Sequence, residues 1–357
     1  MSIATTLLRS RAVAALAAPH SVDRYLELVN PMWAATEVRA RLVDRQVEVD
    51  VPGSHVATLT FQPTSTWAGH RAGQYVQVGV DLPGARRLTR CFSLSSPGSR
   101  PGDPFTITLR ANPDGQVSRY LTRRAEPGTI VHLSQAAGDF TLPDRVPGHV
   151  AFITGGSGIT PAMAMLRSLL RRTHRGHVTF IHYASSPDHL IFRDELAELR
   201  YAGYGLDLHV IHPSAGGRYL TPMELGRMLP GYRDIDTWAC GPAGLVQAVQ
   251  TAYGDSDRLR IEWFKPPVTA TGDATGTVTF ARAGASAANT GETLLAQAEA
   301  AGLSPEFGCR MGICFTCTAR KSEGTVRNVL TGETSSLPEE EIRICVSTPE
   351  GDCSVDL

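Results

Sequence analysis

Four cysteines near the end of the 357-residue chain constrain its fold more than any other feature. Cys309, Cys314 and Cys317 stand in a C-x4-C-x2-C loop, with Cys345 as a distal fourth. This is the spacing of a backbone that wraps a plant-type [2Fe–2S] cluster. Such a cluster needs four thiolates around a compact core. Drawing three of them from one short loop forces the chain to curl closely. Gly308 and Gly312 remove Cβ atoms where it curls, and amide N–H groups there can donate to the sulfurs and tune the potential. A zinc site would favour a second paired knuckle, which the sequence lacks. Cys353, the rival fourth ligand, reads as a small buried hydrophobe in a terminal strand. The remaining cysteines are Cys91 and Cys240. Clustering in one segment of a long chain points away from a disulfide scaffold and toward a metal site in a reducing, cytoplasmic setting.

The length suits two or three domains. With 42% hydrophobic and 19% charged residues the composition is globular. A net charge of −1 without any Lys/Arg-rich block argues against nucleic acid as a partner. No apolar run is long enough for a transmembrane span. Residues 12–18 are apolar and follow Arg9 and Arg11, loosely like an export signal, but Pro19-His20 offers no good cleavage pattern. Leu8, Ala12 and Leu16 share one helical face at i, i+4, i+8. The expectation is a short helix packed on the body of the protein. Docking to a membrane or to a membrane-bound partner is the alternative.

Residues 37–146 alternate in short β-like runs: Gln46–Val51, His55–Phe61, Tyr75–Val80 and Phe105–Leu109. Turn residues at Pro52-Gly53, Pro83-Gly84 and Pro97-Gly98 separate or flank them, which predicts an antiparallel β-barrel. From 147 to 265 the pattern becomes strand–helix alternation. His149–Thr154, His177–Tyr183, Leu206–Ile211 and Thr237–Cys240 are strands, and Met163–Arg172 and Phe192–Tyr201 are helices. That order implies an α/β parallel sheet. Residues 266–275 read as a linker and 276–357 as a third, cysteine-bearing domain. Residues 1–36 form an N-terminal helical extension.

Gly155-Gly156-Ser-Gly158-Ile-Thr160-Pro161 joins a strand to a helix. Pro161 stands where a Rossmann fingerprint has its third Gly, and no P-loop Lys is present. By itself the turn fits any tight βα connection.

Two segments carry a resemblance. Arg90-Cys-Phe92-Ser93, placed after a predicted strand, is similar to the Arg-x-Tyr-Ser motif of the ferredoxin–NADP reductase family. Gly115-Gln-Val117-Ser118-Arg-Tyr-Leu121 is similar to that family's Gly-x-x-Ser-x-x-Leu pyrophosphate segment. Phe92 replaces the usual Tyr and lacks its hydroxyl. Cys240-Gly241-Pro242-Ala243 and Glu262-Trp-Phe264 also resemble family elements. The resemblance implies a multidomain protein with a β-barrel flavin domain, an α/β nucleotide domain and an α+β β-grasp ferredoxin domain. It implies FAD near Arg90, Phe92, Ser93, Gly115, Val117 and Ser118, with Arg110 a further cofactor-binding candidate. It places NADPH or NADH at Gly156, Gly158, Thr160, Pro161, Ser185, Ser186, Gly241, Pro242 and Phe264. Ser93, Thr160 and Cys240 then lie nearest the hydride transfer. Arg193 and Arg218 are candidates for a nucleotide 2′-phosphate.

The order flavin, nucleotide, ferredoxin is typical of monooxygenase reductases. Tyr25–Trp33 and Ile191–Leu196 are similar to reductases of membrane acyl-CoA desaturases. The expected partner is therefore a redox protein, a desaturase or monooxygenase, with peripheral membrane contact through that partner. A Rieske oxygenase or cytochrome P450 as acceptor, or a redox sensor without turnover, are the competing readings. Phe315 and Arg310 are expected near the partner-facing surface.

Overall fold

In a computed structural model, residues 10–82, 87–113, 115–201, 205–264, 274–312 and 314–357 are described. Leu8, the Pro83-Gly84 turn and most of the expected linker lie outside them. The chain divides into two compact units, Met1–Glu262 and Trp263–Leu357. The expected barrel and nucleotide domains both belong to the first.

The barrel has six strands: β1 (Val38–Val51), β2 (Ser54–Pro63), β3 (Tyr75–Val80), β4 (Leu88–Ser93), β5 (Phe105–Arg110) and β6 (Ile130–Leu133). Their order is β4-β3-β6-β1-β2-β5, with antiparallel pairings. A bridge between Leu94 and Ile107 draws the two ends together, so the sheet nearly closes. Leu42, Leu59, Phe61, Val78 and Ile107 fill the interior, following the two-residue side-chain period of strands. The helix Gln116–Arg123 adds Val117 and Leu121, one turn apart.

β1 begins at Val38 rather than Gln46 because a charge hides its alternation. Arg39 is fully buried, yet Glu27 and Glu37 pair with it at 3.2 and 3.4 Å. A second correction concerns Arg90–Ser93, which forms part of β4 instead of following a strand.

Five strands build the nucleotide sheet: β7 (His149–Gly155), β8 (His177–Tyr183), β9 (Leu206–Ile211), β10 (Asp236–Gly241) and β11 (Leu259–Trp263). The order is β11-β10-β7-β8-β9, and β10/β7, β7/β8 and β8/β9 are parallel. The chain runs outward from β7 to β9 and then returns to the other side of β7. The carboxyl ends of β7 and β10 therefore form a topological switch point, where ligands of open α/β sheets bind. The helix after β7 starts at Ile159, not Met163. Pro161 falls in its first turn, where a fixed φ and a missing N–H cost nothing.

In the second unit, β12 (Thr277–Phe280), β13 (Ala285–Ala288), β14 (Thr318–Asn328), β15 (Thr334–Ser335), β16 (Glu340–Arg343) and β17 (Ser347–Val355) form a mixed sheet. β12 runs parallel to β17, which is antiparallel to β14. Leu294, Leu295 and Ala298 of the helix Leu294–Ala300 pack with Phe280 and Val355. This is an α+β β-grasp. Cys353 sits in β17, buried opposite Val278 and Gly324.

Among the described residues, two short helices, Arg11–Ala17 and Val22–Val29, precede the barrel. The expected packing face fails at Leu16, which is 86% exposed.

Candidate functional site

In the second unit, the loop from Gly308 to Cys317 carries no regular secondary structure among its described residues. Arg310, Gly312 and Phe315 adopt left-handed backbone, with φ of 57°, 73° and 58°. The resulting curl turns amides inward: Cys309 N–H donates to Cys314 Sγ at 3.2 Å, and Met311 N–H to Cys309 Sγ at 3.2 Å. A Cβ on Gly308 would lie 2.8 Å from Cys314 Sγ, and one on Gly312 would lie 2.9 Å from a Val346 methyl.

Cys345 approaches from the segment between β16 and β17. Hydrogen bonds to Cys309 and Cys317 hold its thiol in the protonated form, raising its pKa. The same contact lowers Cys317 to about 7, against the effect of burial. Four soft sulfur donors, with amides aimed at two of them, are the donor set of a thiolate-bound cluster. The residues fit the group. Cys353, in the sheet core, serves as packing. Next to the ligands, Phe315 is 63% exposed, with the Arg343 guanidinium 4.9 Å from its ring centre. Arg310 lies over Phe307 and pairs with Glu299.

In the first unit, a cavity of about 380 Å³ opens at the carboxyl ends of β7 and β8 and beside the end of β10. Arg110, Gly155, Gly156, Tyr183, Ser185 and Pro242 line it. Its floor depends on bare backbone. A Cβ on Gly158 would stand 2.3 Å from the Cys240 carbonyl oxygen, and one on Gly241 would stand 2.9 Å from Gly155 N. Thr160 and Pro161 are buried behind the turn, where the Thr160 hydroxyl donates to Ser157 O at 3.0 Å. Cys240 is fully buried. Burial, reinforced by the charge of Glu262, pushes its thiol well above the usual range and keeps it neutral.

Among the described residues, two polar groups at this cavity have no hydrogen-bond partner. The buried Arg110 Nε has no hydrogen-bond acceptor, and burial lowers the guanidinium's pKa. Among the described residues no carboxylate pairs with Arg110. The Tyr183 hydroxyl is also buried without a partner. Burial, aided by Glu224, raises its pKa to about 12. A buried cation and a buried hydroxyl left unsatisfied are expensive unless a ligand completes them. The site therefore fits an anionic, hydrogen-bonding ligand such as a dinucleotide.

β4 brings together Arg90 and Phe92, both half-buried, and the buried Ser93. Gly115 is the N-cap of the helix Gln116–Arg123 and makes no side-chain cap bond, so the first-turn amides suit an anion. Val117 and Ser118 are buried on that helix, and Ser118 Oγ accepts from Asn112 N–H at 3.0 Å. A Cβ on Gly115 would be 2.6 Å from Ser118 Oγ, so the glycine is required for this approach.

Other candidates separate from the cavity. Arg193 bonds Pro187 O and Asp188, and Arg218 pairs with Glu224 at 2.8 Å. Neither lines the cavity, because nearer carboxylates hold both. Ser186 bonds His189, and Phe264 falls in the second unit. His189, Ser214 and Tyr219, which do line the cavity, were not anticipated. Their only signal is a lone aromatic in the polar Gly216-Gly-Arg-Tyr219 turn.

Comparisons with known proteins follow the same division. Residues 152–251 match the oxidoreductase NAD-binding domain family, and residues 279–350 the 2Fe-2S iron-sulfur cluster binding domain family. An "NADPH oxidoreductase" of Mycobacterium tuberculosis is 39% identical, over 96% of this chain and 90% of the relative. The "3-ketosteroid-9-alpha-monooxygenase, ferredoxin reductase component" of the same species is 30% identical, over 78% and 83%. The solved structure of phthalate dioxygenase reductase aligns with a TM-score of 0.61 at 20% identity. It covers 90% of this chain and 98% of that one, which establishes likeness of fold.

Proposed function

Because the chain belongs to the ferredoxin–NADP reductase-like family of iron–sulfur oxidoreductases, we propose that it takes electrons from NAD(P)H and delivers them, through FAD and a [2Fe–2S] cluster, to a separate oxygen-activating protein. The observation that carries this reading is the coexistence, in one chain, of a nucleotide cavity with an unpartnered guanidinium and a unit in which four thiols converge. FAD supplies the exchange of one hydride for two single electrons, and a plant-type cluster operates around −400 mV.

The chain's own residues bind and orient. Arg90, Gly115, Val117 and Ser118 would hold the flavin pyrophosphate with charge and amide donors. Phe92 would pack on the flavin ring, and the Ser93 hydroxyl would hydrogen-bond at its reacting nitrogen. The turn Gly156–Pro161 would admit the nucleotide close to backbone, with Arg110 on its phosphates and the Tyr183 and Ser185 hydroxyls toward its ribose. Cys240 stays protonated and offers a compact wall beside the nicotinamide. Cys309, Cys314, Cys317 and Cys345 would ligate the cluster.

NADPH is the favoured donor, in line with the name of the 39% identical relative. Steady-state kcat/KM for NADPH against NADH checks it.

For the acceptor, a membrane-bound di-iron acyl desaturase or hydroxylase is supported by the segments Tyr25–Trp33 and Ile191–Leu196. A Rieske oxygenase or cytochrome P450 is the second reading, favoured by the monooxygenase relative. Among the described residues no helix is long and apolar enough to cross a membrane. Reconstituting turnover with each acceptor class decides between them. A purified protein that holds no flavin and reduces neither ferricyanide nor cytochrome c would sink the reductase reading and leave that of a sensor.

A further inference from the structure

The helix Val22–Val29 is mounted with its apolar side outward. Tyr25, Leu28 and Val29 occupy positions i, i+3 and i+4, hence one face, and are 46%, 73% and 72% exposed. Leu16 and Trp33, just before and after, are 86% and 53% exposed. Ordinary amphipathic helices do the reverse.

The cause is electrostatic. Asp23 is 1% exposed and accepts hydrogen bonds from Ala35 N–H at 2.5 Å, from Thr36 N–H at 3.0 Å and from Glu37 N–H at 3.3 Å, with a further bond from the Thr36 hydroxyl. Glu27 pairs with the buried Arg39 at 3.2 Å, and Arg39 also donates to Trp33 O. Both carboxylates of the helix are thus turned inward and held, which fixes its rotation and forces the apolar residues out.

We infer that this face docks on an anionic lipid surface. Three observations favour lipid. First, the acidic residues between Ser10 and Arg41 are Asp23, Glu27 and Glu37; Asp23 and Glu27 are turned inward, and the exposed Glu37 is paired with Arg39. Arg24, exposed on the same helix, has no ion pair among the described residues. The face is therefore apolar and cationic. Second, a Tyr and a Trp accompany Leu and Val among the exposed residues of this segment, the composition of elements that lie at the headgroup level. Third, a patch of five side chains falls far short of the roughly 20–30 residues a side of a standard protein interface, whereas shallow lipid insertion needs only a few. The inference is independent of which acceptor the reductase serves.

The test uses the full-length holoprotein and co-sedimentation with vesicles of phosphatidylglycerol or of phosphatidylcholine. Binding is expected to the anionic vesicles and to fall at ionic strengths near about 1 M, where charges are screened within about 3 Å. The double substitution Leu28→Glu/Val29→Glu should weaken binding by at least about tenfold, given the worth of burying even one such side chain. Its NAD(P)H–ferricyanide activity should be unchanged, which separates lost docking from lost folding. Tryptophan emission should shift to the blue with vesicles, and Trp33→Phe should remove the shift. Absence of binding, or equal binding to both lipids, overturns the inference. So does a concentration-dependent dimer abolished by the same double substitution, which would assign the face to a second copy.

Discussion

The cysteine loop and the cavity of the parallel sheet share one trait, close approach to bare backbone, and reach it by different routes. Three thiols come from Cys309 to Cys317, a stretch short enough that local curl alone brings them together, and only Cys345 arrives from elsewhere. The cavity draws Arg110 from the barrel, Gly155 and Tyr183 from adjacent parallel strands, and Pro242 from the far side of the switch point. Both sites rely on glycines that approach a neighbour too closely for a Cβ, Gly308 in one and Gly158 in the other. They differ in what stabilises the empty framework. The thiols bond one another, whereas Arg110 Nε and the Tyr183 hydroxyl have no partner among the described residues. The first site should therefore fail when a ligand residue is lost. The second should lose affinity while the fold stands.

The largest effect falls on the cluster. Cys345→Ser is expected to abolish visible cluster absorption and all reduction of protein acceptors. Cys353→Ser should keep both, at a stability cost of about 1–3 kcal/mol for burying a hydroxyl. The reverse outcome would move the fourth ligand to β17. Next comes Gly158→Ala. Its Cβ meets backbone, which cannot step aside, so about 1–3 kcal/mol of destabilisation is expected, along with a large fall in NAD(P)H-dependent reduction. Cluster absorption should persist in this variant, and its loss would show that the two sites are not separable.

Arg110→Ala should raise the KM for the pyridine nucleotide by about 10- to 100-fold, the worth of a hydrogen bond to a charged group. Tm without nucleotide should stay level or rise, since a desolvated cation is removed. A clear fall in Tm would mean that Arg110 is structural.

The smallest effect concerns the helix Val22–Val29, where a carboxylate is locked by local donors. Burial opposes the charge of Asp23, but hydrogen bonds from Thr36 and from the amides of Ala35, Glu37 and Thr36 outweigh it and hold its pKa below the usual value. Its contribution is thus fully present above the unfolded value of about 3.9 and is lost as pH falls through the lower folded value. Protease cleavage near Asn30 should rise on acidification and should already be raised at neutral pH in Asp23→Asn. Cleavage independent of pH and of this substitution would remove Asp23 as the clasp.

Much of the architecture was legible because its signals are periodic. Strands β3, β8 and β9 match the expected spans to the residue. Where legibility failed, a charge or a proline was the reason. Buried Arg39 concealed the start of β1, and the helix expected from Met163 starts at Ile159, with Pro161 in its first turn. Arg193 and Arg218 looked free in the sequence but have carboxylates within reach.

The sequence alone determined the cysteine loop, since a C-x4-C-x2-C spacing with flanking glycines closes over distances the chain spans by itself. It also determined the alternation that separates barrel from parallel sheet. Tertiary structure alone decided which cations face a ligand, which hydroxyls stay unsatisfied and which side of the Val22–Val29 helix meets solvent. Those outcomes depend on burial and on partners brought from distant segments, and neither quantity is written in local order.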